Sequence, residues 1–142
     1  MTQDSEFDVV VIGGGPGGAS AAQYLIAEGL DVALIEERLI AGECHYWACN
    51  PTKSLLRPIE VLALAKAVPG AREAVGPGQL DVAAVFAKRD AIVDHLNDDG
   101  ATAGLQQSGL TVFHARGRLA GQREVTVTHP DGREETIRAR HA

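Results

Sequence analysis

Two thiols and a lysine mark the stretch of this chain where chemistry is easiest to see. Cys44 and Cys49 stand five residues apart and are the only cysteines among 142 residues. Asn50-Pro51 reads as an N-cap followed by proline at the first helical position, which puts Cys49 at a helix start. A helix N-terminus stabilises a thiolate, so Cys49 is expected to be the more anionic of the pair. Lys53, one turn on, adds a positive charge nearby. Cys44 falls in the preceding loop and is expected to be more exposed. That asymmetry suits a reversible dithiol/disulfide couple, one sulfur exchanging with substrate and the other facing an electron donor. Two other readings compete. Zinc needs four ligands, usually in closer pairs, and His45, His95, His114 and His129 are scattered. An inert pair of buried thiols is the plain alternative. His45 reads as an exposed loop residue rather than a base, and Tyr46 and Trp47 fit either a ring cofactor or a core.

A second constellation precedes the first. Gly13, Gly15 and Gly18 stand in the spacing G-x-G-x-x-G. The first glycine allows a tight turn, the second lets a pyrophosphate approach the backbone, and the third lets helix and strand pack closely. Pro16 lacks an N–H and suits the helix start, with Gly17 beside it. The free N–H groups at that end would bind the pyrophosphate. Glu36 follows Gly18 by 18 residues, close to the spacing expected of the acid that accepts hydrogen bonds from a ribose diol. Its charge also argues against a 2′-phosphate in the site. Glu37 reads as a solvated neighbour.

These residues need elements to hold them. Val9–Ile12 is an apolar, mostly β-branched run that fits a parallel strand covered on both faces. A helix is expected from Pro16 to Glu28, stopped by Gly29, and a second strand over Asp31–Ile35. Strand, turn, helix, strand and acid in that order read as dinucleotide binding. Arg38–Ala48 reads as a loop. Leu55, Leu56, Ile59, Leu62 and Leu64 support a helix to about Ala67, with a kink or break near Arg57 forced by Pro58. Residues 68–80 read as a surface connection with no domain boundary. Asp81 can cap a helix whose apolar face carries Val82, Val85, Phe86, Val93 and Leu96. A shorter helix over Ala101–Gln107, a strand over Leu110–His114 and a hairpin turning at Pro130-Asp131-Gly132 complete the chain.

Composition narrows the classes. One ordinary domain fits in 142 residues, and 45% hydrophobic content allows a real core. A net charge of −6 gives no reason to expect nucleic acid or an anionic membrane surface. No apolar run reaches the ~18 residues of a membrane span. Residues 1–8 are acidic and polar, unlike a secretory leader, so a cytoplasmic protein is expected. In a reducing compartment a close cysteine pair is more often redox-active or metal-binding than structural.

With these residues in place, the chain resembles the class I pyridine nucleotide–disulfide oxidoreductases, the dihydrolipoamide dehydrogenase, glutathione reductase and mercuric reductase type. The family segment G-G-x-C-x-N-x-G-C-x-P-S-K corresponds to Ala41 through Lys53. Both cysteines, Pro51 and Lys53 match, while Tyr46, Ala48 and Thr52 replace the family's asparagine, glycine and serine. These departures leave the redox pair intact and the substrate open. The resemblance implies a Rossmann-like α/β FAD-binding domain, with a parallel sheet, helices on its faces and a small antiparallel β-hairpin. It implies that Gly13, Gly15, Pro16, Gly17 and Gly18 hold the pyrophosphate of FAD and that Glu36 binds the adenosine ribose. Glu43, Cys44 and Lys53 would border the cofactor, Lys53 near the flavin N5 edge. Cys49 would face the flavin as the charge-transfer sulfur and Cys44 would be the interchange sulfur. Gly117 corresponds to a segment whose backbone contacts adenine; on the residues alone a strand-end turn fits it as well.

The reaction so implied passes electrons from NAD(P)H through FAD to the Cys44–Cys49 disulfide and then to a small-molecule disulfide or similar acceptor. It is reversible for dihydrolipoamide. Family members continue into nicotinamide and interface domains, act as homodimers and take an acid/base His–Glu pair from the partner subunit. The chain therefore reads as the amino-terminal part of the flavin domain, with the next strand due at Arg138–Ala142, and is expected to be inactive alone. A standalone FAD-binding fragment without turnover is the competing function. An NAD-dependent dehydrogenase with the same glycine fingerprint is a third, disfavoured because it has no use for the cysteine pair.

Overall fold

The computed structural model describes residues 5–141. They form two compact units, one built from the chain up to Gly42 and from Asn97 onward, the other from Glu43–Leu96. In chain order the elements are β1 (Ser5–Phe7), β2 (Val9–Ile12), α1 (Pro16–Ala27), β3 (Val32–Glu36) and α2 (Gly42–Tyr46). Next come α3 (Cys49–Ala67), α4 (Ala71–Val75), α5 (Val82–Ile92) and a 3₁₀ turn at Asp94–Leu96. The chain then runs through α6 (Asp99–Gln107), β4 (Thr111–His114), β5 (Arg116–Gly121), β6 (Glu124–Thr128) and β7 (Glu134–Ala139).

The first unit is organised by β3. It is the central strand of a parallel sheet ordered β2-β3-β4, with Gly13 N–H also donating to the Ile35 carbonyl at 2.8 Å. Successive strand residues point to opposite faces. Val32 and Leu34 meet Ala22 of α1, Ile40, Leu105 of α6 and Leu110. Ala33 and Ile35 meet Phe7, Ala115, Val125, Val127 and Ile137. The four side chains from Val32 to Ile35 are 0–1% exposed, so this part of the strand is covered on both sides. Full burial of a leucine or isoleucine contributes about 1.5–3 kcal/mol. The coverage expected of Val9–Ile12 thus belongs to β3. β2 lies at the sheet edge, its residues are half-buried and Ile12 is exposed.

The α/β class and the parallel sheet are as expected, but the second face of that sheet is covered by strands rather than helices. The hairpin grows to a four-stranded sheet ordered β1-β7-β6-β5, in which β6 pairs antiparallel with both neighbours and β1 pairs parallel with β7. Of the acidic, polar residues 1–8, residues 1–4 lie outside the described residues, and Ser5–Phe7 form a strand because Phe7 has a core to enter. Likewise Arg138 and Ala139 continue β7 rather than opening a new strand, and Ala142 lies outside the described residues. Asp8 ties this edge together. Its carboxylate accepts the Asp31 N–H at 2.8 Å and meets Arg140 at 2.9 Å. The backbone donation from Asp31, with the charges of Arg140 and His141, outweighs the opposing desolvation and holds Asp8 below the usual carboxylate range.

In the second unit α3 packs against α4 and α5. α3 runs through Pro58 to Ala67, without the expected break. Proline there removes the donor to the Ser54 carbonyl and crowds that oxygen with its ring, a cost that packing against α4 and α5 offsets. The helix also starts earlier than Asn50: Cys49 is its first residue, Ala48 its uncapped N-cap, and Pro51 its third position, where an N–H has no helical acceptor anyway. Two stretches read as loops contain helices. α2 forms where Arg38–Ala48 shows no period, and α4 forms inside residues 68–80, its first turn held by the Glu73 carboxylate accepting the Gly70 N–H. Asp81 caps α5 as expected, accepting from Ala84 N–H at 3.0 Å. α5 ends at Ile92, so Val93 and Leu96 do not continue its face; positive φ angles at Asp94, His95 and Leu96 turn the chain away. Among the described residues no helix is long and apolar enough to cross a membrane.

Candidate active site: a glycine cradle and a redox disulfide

The predicted site residues fall into two groups. Gly13, Gly15, Pro16, Gly17, Gly18, Glu36 and Gly117 lie in the first unit, and Glu43, Cys44, Cys49 and Lys53 in the second.

In the first group the glycines differ in how strictly the turn requires them. Gly13 has φ of +105°, the left-handed region, and turns β2 toward α1. A Cβ on Gly18 would lie 1.9 Å from the Gly13 carbonyl oxygen, so only glycine lets α1 approach that turn. A Cβ on Gly17 would meet nothing within 4 Å. Pro16 is the first helical residue after the extended N-cap Gly15, and no side chain caps the helix. The N–H groups of Gly17 and Gly18 therefore end the helix without an intrahelical acceptor, the arrangement that binds anions. Two close neighbours were not singled out from the sequence. Gly42 packs against Gly15 so tightly that a Cβ would stand 2.6 Å from the Gly15 Cα, and Ala41 N–H donates to the Gly14 carbonyl at 2.9 Å.

Glu36 ends β3 beside this turn. One carboxylate oxygen accepts the Gly14 N–H and the other the Arg38 N–H, each at 2.7 Å. A carboxylate has about four lone-pair directions, so both oxygens keep capacity for hydroxyl donors. Glu36 lines a cleft of about 370 Å³ with Ile12, Gly13, Ile35, Arg116 and Gly117. Gly117 sits inside β5, paired with Val127, rather than at a strand-end turn. Its missing side chain matters: a Cβ would press on Ile35 and Ile12 at 3.1–3.3 Å.

Asp98 was also missed. It is buried and accepts the Ile40 N–H at 2.7 Å across 58 residues of sequence. It thereby holds the segment that delivers Ala41 and Gly42 onto the glycine turn. No spacing in the sequence announces such a long-range bond.

In the second group Cys44 and Cys49 are joined as a disulfide with their Cα atoms 4.6 Å apart. Their exposure is the reverse of that expected. Cys44 lies within α2 and is half-buried, whereas Cys49 is exposed because it stands at the open first turn of α3. Glu43 is exposed in the first turn of α2, and its carbonyl accepts the N–H groups of Trp47 and Ala48. Lys53 lies exposed one turn along α3 from Cys49. Tyr46 is buried against the rings of His45 and Trp47, the core alternative of its two readings. His45 is not a free loop residue. Its ring bonds Asp94 through Nε2 and Asn50 through Nδ1, both at 2.9 Å.

Residues 7–142 match the family described as pyridine nucleotide-disulphide oxidoreductase. The chain is 36% identical over 138 residues to a dihydrolipoyl dehydrogenase of Chlorobaculum parvum, covering 97% of this chain and 29% of that protein. It is 36% identical over 140 residues to the dihydrolipoyl dehydrogenase of Chlorobaculum tepidum, covering 99% and 30%. The dihydrolipoyl dehydrogenase of Halobacterium salinarum is 34% identical over 140 residues, covering 95% and 28%. The chain thus spans about three-tenths of the length of these relatives.

Proposed function

The chain belongs to the pyridine nucleotide-disulphide oxidoreductase family, whose members use FAD and NAD(P)H, and we propose that it supplies an FAD cradle and a redox disulfide to such an enzyme. The supporting observation is a disulfide closing onto the first residue of a helix, in a chain that also carries a glycine turn with open N–H groups beside an acid-edged cleft.

The residues fit the group. The N–H groups of Gly15, Gly17 and Gly18 would face the pyrophosphate, with Gly13 and Pro16 fixing the turn and the helix start. Glu36, already oriented by two backbone donors, would accept from the ribose hydroxyls. Gly117 would let the adenine approach β5. Glu43 and Lys53 would border the cofactor. When bound, the flavin supplies two-electron exchange with a nicotinamide nucleotide.

The cysteines carry those electrons onward. The Cys44–Cys49 disulfide takes up two electrons and two protons and becomes two thiols. For an acceptor disulfide, the Cys44 thiolate attacks one acceptor sulfur, forming a mixed disulfide and releasing the other half as a thiol. Cys49 then displaces the second half, which restores the Cys44–Cys49 bond. Cys49 gains thiolate character from the helix N-terminus and from Lys53. Its exposure leaves room for a ring against it, and half-buried Cys44 retains surface for exchange. A small-molecule disulfide or similar acceptor is the proposed substrate, with dihydrolipoamide as the electron donor when the reaction runs in reverse; the proposed complete enzyme is a homodimer, and its compartment the cytoplasm, where a thiol pair can cycle.

Denaturing the purified native protein that carries this chain and identifying the released chromophore tests the reading. FAD is expected; FMN without adenylate, or a colourless nicotinamide, overturns it.

A further inference from the structure

His45 follows Cys44 on α2, and Asn50 follows Cys49 on α3. Their side chains meet: Asn50 Nδ2 lies 2.9 Å from His45 Nδ1. The amide donates, so Nδ1 carries a lone pair and the ring hydrogen sits on Nε2. That hydrogen points to Asp94 Oδ2 at 2.9 Å. Asp94 opens the 3₁₀ turn after α5, in the same unit. The chain Asp94–His45–Asn50 therefore pins the helix bearing one cysteine to the helix start bearing the other, independently of the sulfur–sulfur bond.

We propose that His45 and Asn50 form a positioning latch that keeps Cys44 and Cys49 within reach of each other after the disulfide is reduced. The inference rests on the redox role given above to this cysteine pair. In the oxidised state the covalent bond already fixes the two segments, and the hydrogen bond forms at little further cost in freedom. In the reduced state the latch remains, adding to the backbone bonds from Trp47 and Ala48 to the Glu43 carbonyl, so each thiol meets the other at a higher effective concentration than those bonds alone would give. Disulfide and latch then stabilise each other by the same factor, as linkage requires. Breaking the latch makes the disulfide easier to reduce. A hydrogen bond of this kind has a net worth of about 0.5–1.5 kcal/mol, which corresponds to an equilibrium shift of about 2- to 10-fold. Tenfold for this two-electron couple is about 30 mV.

The latch positions the sulfurs and takes no part in bond making, so its signature is an equilibrium. The test is titration of the native protein against defined ratios of reduced and oxidised glutathione. Each turnover converts one Cys44–Cys49 disulfide and two glutathione thiols into two protein thiols and one glutathione disulfide. Thiol content is read by alkylation and mass. We expect His45→Phe and Asn50→Ala each to shift the midpoint toward the dithiol by about 2- to 10-fold, and the double variant to shift it no further. His45→Gln, which keeps an acceptor and a donor, should recover part of the loss. As a second readout on unmutated protein, the His45 ring nitrogen resonances should change on reduction, as reciprocity demands. Single variants at the wild-type midpoint, or fully additive shifts, overturn the latch and leave the redox role standing. A wild type that never forms the intramolecular disulfide at any glutathione ratio overturns both.

Discussion

Gly17 and Gly18 are neighbours in one glycine run, yet the structure assigns their alanine variants opposite outcomes. A Cβ on Gly18 would sit 1.9 Å from the Gly13 carbonyl oxygen and 3.0 Å from its carbon, where ordinary contact begins near 3.4 Å. The missing ~1.5 Å cannot come from a flexible side chain, because the obstructing atoms are backbone. Gly13 is itself fixed by its N–H bond to Ile35 and by its left-handed φ. α1 must therefore back away from β2, loosening Ala22 and Leu25 from the core. Overpacking of this sort typically costs about 1–3 kcal/mol. Alanine at Gly17 meets nothing within 4 Å and lies in a helix, where replacing glycine gains about 0.5–1 kcal/mol. The two variants should thus differ by about 1.5–4 kcal/mol, or very roughly 3–16 °C in melting temperature at ~2–4 °C per kcal/mol. Denaturant unfolding followed by circular dichroism measures the difference. Flavin content on purification reads the displaced helix end, and should fall for Gly18→Ala well below wild type. Equal stability of the two variants, or a Gly18→Ala protein with full flavin content, refutes the close-packing argument.

Other substitutions probe separate parts of the account. Asp98→Ala strands the Ile40 N–H in the interior, and should cost about 1–3 kcal/mol in denaturant unfolding, whereas a solvent-facing carboxylate such as Glu134 should be silent. Asp8 has a carboxyl held below its ordinary value of 3.8, so its contribution to stability is complete above that pH and disappears as pH falls through the lowered value. Stability of Asp8→Asn should accordingly be lower than wild type at neutral pH, with the gap closing on acidification below pH 3.8; a gap constant with pH would remove Asp8 from the linkage. In the reduced flavoprotein, Cys49→Ser should abolish the long-wavelength thiolate-to-flavin absorption and Cys44→Ser should retain or raise it, while the opposite pattern would exchange the two roles.

Much of the first unit is legible from residue order because its signals are local. A β-branched run, glycines at fixed offsets and an acid at the end of the next strand define the turn and place Glu36 beside it. What escapes is set by partners far along the chain. Val9–Ile12 and Val32–Ile35 look equally apolar, and only the strand order makes one an edge and the other a core. Phe7 recruits its short strand through Ile137, 130 residues away. The helix across Cys44 has no period because it is barely more than one turn, and α3 starts two residues earlier than Asn50-Pro51 predicts because that pair carries a capping signature that the chain does not use. His45 shows the same limit: its two partners lie 5 and 49 residues away, so a ring that reads as solvated is hydrogen-bonded on both nitrogens.

The central claim, that an FAD cradle and the Cys44–Cys49 couple serve one enzyme, can be tested by counting electrons. Anaerobic titration of the flavin-containing native protein with NADH or dithionite should consume four electrons per FAD, two for the flavin and two for the disulfide, and Cys44→Ser/Cys49→Ser should consume two. An unmutated protein that is fully reduced by two electrons, with its disulfide intact by alkylation, would contradict the account.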